Sequence, residues 1–467
     1  MTAGPRSDRI VAAAVAGLAL AVPAAVLVLS GADAGRAAWD AGLYHERVIR
    51  GFIERFPSVD VRNPLTTTTP GYHVALAAFG ALVSDTPTAL RLAAVAVGSS
   101  FVAFVAAWCA GLRGAAQGTL LALPLACSLY VVGSAAWPLP DDAAWLLVAA
   151  TLAACLRVPV TPLRSAAIGL SLLALVLVRQ VHLWAALPAV VACAWPSDAA
   201  HARSPGRRAV AAIAVVAPAF AAVAAFAAAW GGLVPPRFQS DVTGINPATP
   251  AFVLLQFAVA GIAFLPWLGP AIAGAWQRRR GTLLVAAAIG LALAAIPATT
   301  TDATAGRSSG WWNVLASVPA ISGRSNPVML LLAPAGAALL AGGLLALSPR
   351  SRAVLVAALV GFLAAVTATH YSWQRYHEPF VLLCLAMLAA MQPATGRTHR
   401  ATGIAMAVSV GVLCALLWAI TWAGLQGDPI DRTRQPAPEH LMPGEQFAPA
   451  PGIQSKTAPI ASATGGQ

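Results

Sequence analysis

Charge is scarce in this chain. Only 10% of its 467 residues are Asp, Glu, Lys or Arg, where a soluble domain carries about 25%. That shortage excludes a soluble enzyme. Lysine is nearly absent, with Lys456 alone beside 28 arginines. Cysteine is sparse too. Cys109, Cys127, Cys155, Cys193, Cys384 and Cys414 lie in or beside apolar runs, without metal-ligand spacing and without a loop pair for a disulfide. They read as small core side chains. No Walker A motif, Rossmann glycine fingerprint or GxSxG elbow occurs. Nor are there alternating segments of roughly ten residues, as a transmembrane β-barrel needs.

Apolar length is abundant instead. The chain is 58% hydrophobic with mean hydropathy +0.74. Runs near the roughly 20 residues that cross a bilayer recur along it. Thirteen spans are expected, at 10–30, 88–111, 118–138, 142–158, 163–178, 181–195, 209–231, 250–276, 281–300, 326–347, 353–370, 379–393 and 401–425. The expected fold class is an all-α polytopic membrane protein. Residues 1–425 form its transmembrane unit, with a long, folded first outer loop at 31–87. The tail 426–467, rich in Pro, Ala and Gly, is expected to be disordered. Ala32-Asp33-Ala34 resembles a signal-peptide cleavage site, but the run before it exceeds a usual signal core of roughly 7–15 residues. It is read as a retained span. Residues 71–84 are apolar but brief, and are read as an interfacial or re-entrant helix.

Arginine tests this threading. With the N-terminus cytoplasmic, the inner segments hold fifteen arginines against only Asp8 and Asp198. The other fifteen acids fall outside. Making 71–84 a span would move the later arginine-rich loops outward, against the positive-inside rule. The expected location is therefore the plasma (inner) membrane, multi-pass, with the polar clusters on the extracytoplasmic face. The net charge of +12 reads as topology, not as nucleic-acid binding, because the arginines punctuate apolar runs.

Five stretches could carry chemistry. WDAGLYHE follows the first span, so Asp40 and His45 stand at the lipid–water boundary. A carboxylate there can reach both a lipid-linked phosphate and a soluble hydroxyl. The continuation to RVIRGFIERF places Leu43, Val48, Phe52 and Phe56 near one helical face, and reads as an amphipathic helix on the membrane surface. Arg47, Arg50 and Glu54 would be its solvated side. NPLTTTTPGYH is a rigid turn, since Pro70 holds Thr69 extended and Gly71 permits a tight bend. It can also add hydroxyls and His73 to a polar pocket. In PLPDDAAW, Asp141 or Asp142 either caps the next helix or supplies a second site carboxylate. In LVRQVHLW, Arg179 sits at membrane depth, where a guanidinium either anchors at the interface or binds phosphate. In HYSWQRYHEPF, an aromatic belt explains the Trp and Tyr but not His370, Arg375, His377 and Glu378. The spacing matches no strong metal motif, and no cofactor is required; a divalent ion is allowed by these residues but not indicated.

These motifs together resemble the integral-membrane glycosyltransferases of the GT-C class. The most similar pattern is that of the dolichyl-phosphate-glucose-dependent α-1,2-glucosyltransferases. That family's Asp-Glu and His after the first span, its following Asp-Pro, and its Ile-Thr-Thr-Pro-Pro-Gly-Leu-Tyr correspond to Asp40, His45, Asp60 and Thr67 to Tyr72. Its Arg-Gln-Thr-Asn before a Trp is similar to Arg179-Gln180-Val181-His182 before Trp184. Its late Asn-Arg-His-Tyr is similar to Gln374-Arg375-Tyr376-His377. The family's Glu after the first Asp is Ala41 here.

The resemblance implies an inverting hexosyl transfer from a polyprenyl-phosphate sugar to a glycan, lipid or polymer hydroxyl. Asp40 would be the general base. Arg179 and Arg375 would stabilise the departing phosphate. His45, Asp60, Thr69, Tyr72, His73, Asp141, Asp142, Gln180, His182, Tyr376 and His377 would complete the binding site. Membrane lipid is the expected surround. The competing class is a transporter or flippase of a lipid-linked or polar solute. Transporters place polar residues near the midplane, whereas here the spans are mostly bare Ala, Leu and Val. A polymer ligase and a structural subunit are weaker alternatives.

Overall fold

A computed structural model describes residues 5–158, 160–196, 204–240, 244–393, 400–426 and 436–441. Among the described residues it is helical, with isolated bridges but no strands. The chain is a multi-pass, all-α membrane protein. Its helices are α1 (Arg6–Leu29), α2 (Arg36–Asp40), α3 (Glu46–Arg55), α4 (Gly71–Leu82), α5 (Pro87–Arg113), α6 (Ala115–Cys127), α7 (Leu129–Ala136), α8 (Asp141–Leu156) and α9 (Pro162–Val178). There follow α10 (Ala186–Ala194), α11 (Pro205–Trp230), α12 (Thr249–Gly261), α13 (Leu265–Ala295), α14 (Trp311–Ala316), α15 (Pro327–Leu345), α16 (Pro349–Thr367), α17 (Glu378–Met391) and α18 (Arg400–Leu425).

All thirteen expected stretches are largely helical, but they are not thirteen full-length spans. Seven helices among the described residues are long and apolar enough to cross a bilayer, or eight if the α6–α7 pair, bent by 72°, counts as one. Shorter ones surround the site. α17 has 14 residues, about 21 Å of helix against a hydrocarbon core of about 30 Å. A short helix suffices there because protein encloses it. All but its last residue are buried. α4 has 12 residues, about 18 Å, so it is no full span.

Small residues set the packing. α1 buries Ala12, Ala16, Leu20, Ala24 and Val28, one every fourth residue, and this stripe lies along α5. Gly118 of α6 sits against the backbone of Ala110, where a side chain would start only 2.4 Å away. Thr249–Ala295 counts once among the seven, as one run of 47 residues, about 70 Å if straight. It is a hairpin. Leu254 abuts Gly336 of α15, while Gly290, much later in the run, abuts Ala333 on the same part of α15. The reversal lies at Arg279, the residue inside α13 that leaves helical geometry (φ −142°, ψ 32°). The expected pair 250–276 and 281–300 is that hairpin.

The two ends of the bundle differ. At one end Arg113 donates to the carbonyls of Ala389, Ala390 and Gln392, and Arg350 to those of Cys155, Leu156 and Ala192. These are the C-terminal ends of α17, α8 and α10. Arg9 lies at the same end, beside Gly111. At the other end lie α2 to α4, and the chain returns there at its finish. The Gly424 carbonyl stands 2.8 Å from where a Gly35 side chain would begin, and Gly35 tolerates this at φ +89°. The ring of His440 lies 4.4 Å from that of Phe238, its Nδ1 is 3.3 Å from the Tyr44 hydroxyl, and its carbonyl accepts from Arg237. That part of the expected disordered tail is therefore docked; 427–435 and 442–467 lie outside the described residues. Among the described residues, α1 begins at one end and α18 finishes at the other.

Candidate active site

The first loop is a small folded unit, not a helix resting on lipid. Val48 and Phe52 of α3 pack with Leu65, Ala77 of α4 and Phe238. The apolar face expected to lie on the membrane thus covers protein. Arg47, expected on the solvated side, is buried at 7% exposure, while Glu54 is exposed as expected. Glu46 is also buried. Its Oε1 accepts from Arg91 Nη2 at 2.9 Å and Nε at 3.1 Å, and Asp33 accepts from the same guanidinium at 3.3 Å. Arg91 is fully enclosed in α5. This triad ties the loop to the bundle. Its only sequence signal is an arginine inside an apolar run.

Asp40 closes α2 and is followed by a π-helical turn, Ala41–His45. Such turns recur at functional sites because the extra residue re-aims the side chains around it. Asp40 Oδ2 accepts a hydrogen bond from Arg375 Nη1, and Asp141 accepts one from Arg179 Nη1. Both guanidiniums lie over one ring. Their central carbons are 4.9 Å (Arg375) and 5.4 Å (Arg179) from the Tyr376 centroid, and Arg375 Nη2 donates to the Tyr376 hydroxyl at 2.9 Å. Arg375 also faces Trp373 at 4.9 Å. Burial works against its charge, but Asp40, Tyr376 and Asp141 hold its pKa well above the usual arginine value. Four distant segments thus meet as two carboxylate–guanidinium pairs on one tyrosine.

The histidines adjoin this cluster. His45 Nδ1 lies 2.8 Å from His73 Nε2, with the rings stacked. Desolvation, then the charges of Arg375 and Arg179, push His45 down to about 3. Burial, then His45, keeps His73 well below its ordinary value. Both are neutral at pH 7. Tyr72 stands edge-on to His73, and burial, then Asp142 and Asp141, raises its hydroxyl.

The threonine turn serves as a latch. Thr69 N–H donates to Gln180 Oε1 at 2.9 Å, its hydroxyl donates to the Val176 carbonyl at 2.6 Å, and Gln180 Nε2 donates to the Thr67 carbonyl at 2.8 Å. Gly71 opens α4 without positive φ. Its need is space, since a side chain would begin 2.5 Å from the Leu177 carbonyl. The latch sets the turn against the end of α9, where Arg179 leaves the helix.

Other expected site residues sit further out. Neither Asp141 nor Asp142 caps α8; Pro140 precedes it, and the Asp142 N–H donates to Ser134 Oγ at 3.1 Å. Asp142 is buried against Gly98 of α5. Asp60 lies exposed in its own turn, accepting from the Arg62 N–H. His377 is enclosed, edge-on to Phe252 and Phe362. Glu378 is taken up by Ser128 and Gln374. No group of three or more His, Cys, Asp or Glu among the described residues is placed to hold a metal.

A cavity of about 710 Å³ opens beside the cluster. Arg179, Gln180, His182 and Tyr376 form its polar end, and Trp184, Leu187, Val190, Phe220, Val223 and Phe362 are among its apolar walls. His182 accepts from Trp184 Nε1 and meets Trp145 edge-on. A smaller cavity of about 190 Å³ reaches Asp141 and Arg375 from the side of Gly35, Tyr130 and Gly424.

No known family model matches the chain, and no curated protein matches it. Among solved structures, ArnT from Cupriavidus metallidurans is similar in its apo state, at 16% identity and a TM-score of 0.35, over 81% of this chain and 78% of that one. The same ArnT bound to undecaprenyl phosphate gives 16% identity and a TM-score of 0.37, over 82% and 78%. Likeness this slight fixes neither fold nor activity.

Proposed function

We propose that this protein is a GT-C-type membrane glycosyltransferase that moves a sugar from a polyprenyl phosphate to an acceptor hydroxyl, with inversion. The observation that carries this reading is the pair of guanidiniums on Tyr376, each facing a carboxylate, with Arg179 at the polar end of the large apolar cavity and Arg375 lining the smaller one. The cavity wall suits a polyprenyl chain. Arg179 and Arg375 suit the phosphate, because a planar fork matches its oxygens and is already in place where charge develops. Asp40 is the general base. It takes the acceptor proton as the hydroxyl oxygen bonds to the anomeric carbon. The bond from that carbon to the lipid phosphate breaks, and the phosphate leaves without needing a general acid. The neutral His45 adds no positive charge beside the base. On this reading the site face is extracytoplasmic and the membrane is the plasma (inner) membrane.

The test is incubation of purified protein with a panel of polyprenyl-phosphate sugars and candidate acceptors, with mass detection of the transferred sugar. Asp40→Asn should abolish transfer while the protein still folds. Full transfer by that variant removes Asp40 as the base, and no transfer by wild type from any donor removes the reading.

A further inference from the structure

Both guanidiniums assigned to the donor phosphate are already engaged. Arg375 is held by Asp40, and Arg179 by Asp141. The Nε of each is buried and Arg375 Nη2 is given to Tyr376, so a phosphate that takes the Nη1 donors competes with the carboxylates. Asp40 Oδ2, meanwhile, accepts from Arg375 and is not open to an acceptor hydroxyl. Tyr376 offers a fixed platform for the exchange, since both guanidiniums rest on its ring and Arg375 is also bonded to its hydroxyl. The arginines can stay in place while their anions change.

We propose that the donor phosphate enters by displacing Asp40 from Arg375 and Asp141 from Arg179, so that donor binding itself arms the site. This rests on the proposed function and assigns Asp141 a role in it. Freed Asp40 can accept the proton of the acceptor hydroxyl. Freed Asp141 stands beside the bound phosphate, and so beside the sugar that phosphate carries, where it can accept from a sugar hydroxyl. Asp141 is thus a positioning residue for the donor sugar. The order of events is fixed: donor first, then activation of the acceptor.

The charges balance at each stage. In the resting site two carboxylates offset two guanidiniums. The phosphodiester brings one negative charge. After transfer, the acceptor proton neutralises Asp40, and the phosphate, now a monoester, carries the charge that Asp40 lost. Asp40 must then release that proton to water to regain Arg375. That re-pairing drives the spent lipid phosphate out. Without competing carboxylates, two arginines would hold a phosphate dianion and slow release.

The test uses full-length protein in detergent and undecaprenyl phosphate as the probe, with affinity read by titration. Asp40→Asn and Asp141→Asn, in separate segments, should each bind the probe about tenfold or more tightly than wild type, because each removes one competing charged hydrogen bond. Arg179→Ala should weaken binding. In the Arg179→Ala background, Asp141→Asn should no longer tighten it, a pattern that general loosening of the fold does not produce. If wild type binds the probe and neither Asn variant binds tighter, the exchange is wrong and the glycosyltransferase reading stands. If wild type does not bind it, the donor reading and the exchange both fail.

Discussion

Replacing Arg91 should detach the first loop from the bundle. Its guanidinium is 1% exposed and holds Glu46, itself buried, while also bonding Asp33. Arg91→Ala takes from the buried Glu46 carboxylate the guanidinium that bonds it twice. Breaking a buried pair from one side costs about 3–5 kcal/mol. Asp33 loses less, because its side chain keeps 17% exposure and can turn to water. Replacing both partners has a different consequence. With Met at positions 91 and 46, both charges of this pair are removed together, and such apolar swaps are often neutral or stabilising by about 1–4 kcal/mol. The assay is thermal melting of the purified variants in one detergent at neutral pH. The expected order is Arg91→Ala lowest, with the double Met variant close to wild type. Equal melting of Arg91→Ala and wild type would refute the anchoring role. A double variant below Arg91→Ala would show that packing, not charge, dominates.

The remaining predictions concern the site and its surroundings. His45, at about 3, His73, well below 6.5, and His377, lowered to about 3 by burial, are all neutral in the fold. The unfolded chain therefore binds more protons between about pH 6.5 and 3, so stability falls as pH drops through that window. The loss should be about 1 kcal/mol per histidine at pH 5.5 relative to neutral pH, read from melting against pH; a flat profile contradicts it. His377 has no hydrogen-bond partner among the described residues, so His377→Phe should melt at or above wild type and retain transfer; lost transfer would make it a ligand. Ala365→Trp, in the wall of the large cavity, should cut donor use about tenfold or more with little change in melting, since overpacking here fills space the lipid would occupy. His440→Ala removes the ring beside Phe238 and the partner of the Tyr44 hydroxyl, and should cost about 1–2 kcal/mol, lowering transfer because Tyr44 directly precedes His45.

Sequence reached the elements whose cause is local and missed those whose cause is a distant neighbour. The helical runs follow from apolar length, and the brevity of α4 from counting residues. Asp40, Arg179 and Arg375 were legible because charge in such a chain stands out at once. Their pairing was not, because 335 positions separate Arg375 from Asp40 and no local rule links them. The same holds for the threonine turn. Its stiffness was visible in Thr-Pro-Gly, but the requirement for glycine comes from the Leu177 carbonyl of α9, not from the turn. Arg47 was misplaced for a related reason. A helix with one charged face reads as a surface helix until Arg91 and α4 cover it.

Arginine plays two different parts at the two ends of this bundle, and the difference bears on function. Among the described residues, Arg113 and Arg350 bond carbonyls, six in all. A carbonyl satisfies the guanidinium's donors without cancelling its charge, and the ends of helix dipoles favour the cation. Such arginines keep one face positive, as an orientation signal requires, and their partners are backbone that no ligand can replace. Arg91, Arg179 and Arg375 bond carboxylates instead. Those pairs are neutral, which makes them tolerable near the membrane core, and a side-chain partner can rotate away. Of the three, the Arg91 pair is sealed, whereas Arg179 and Arg375 keep 13% and 25% exposure. An arginine that is neutralised, accessible and held by a movable anion is one whose anion can be exchanged. Only the site face has such arginines among those five, so a phosphate-bearing substrate has one end of the bundle to approach. A transporter would instead keep its exchangeable charges near the midplane, reached from either side in turn.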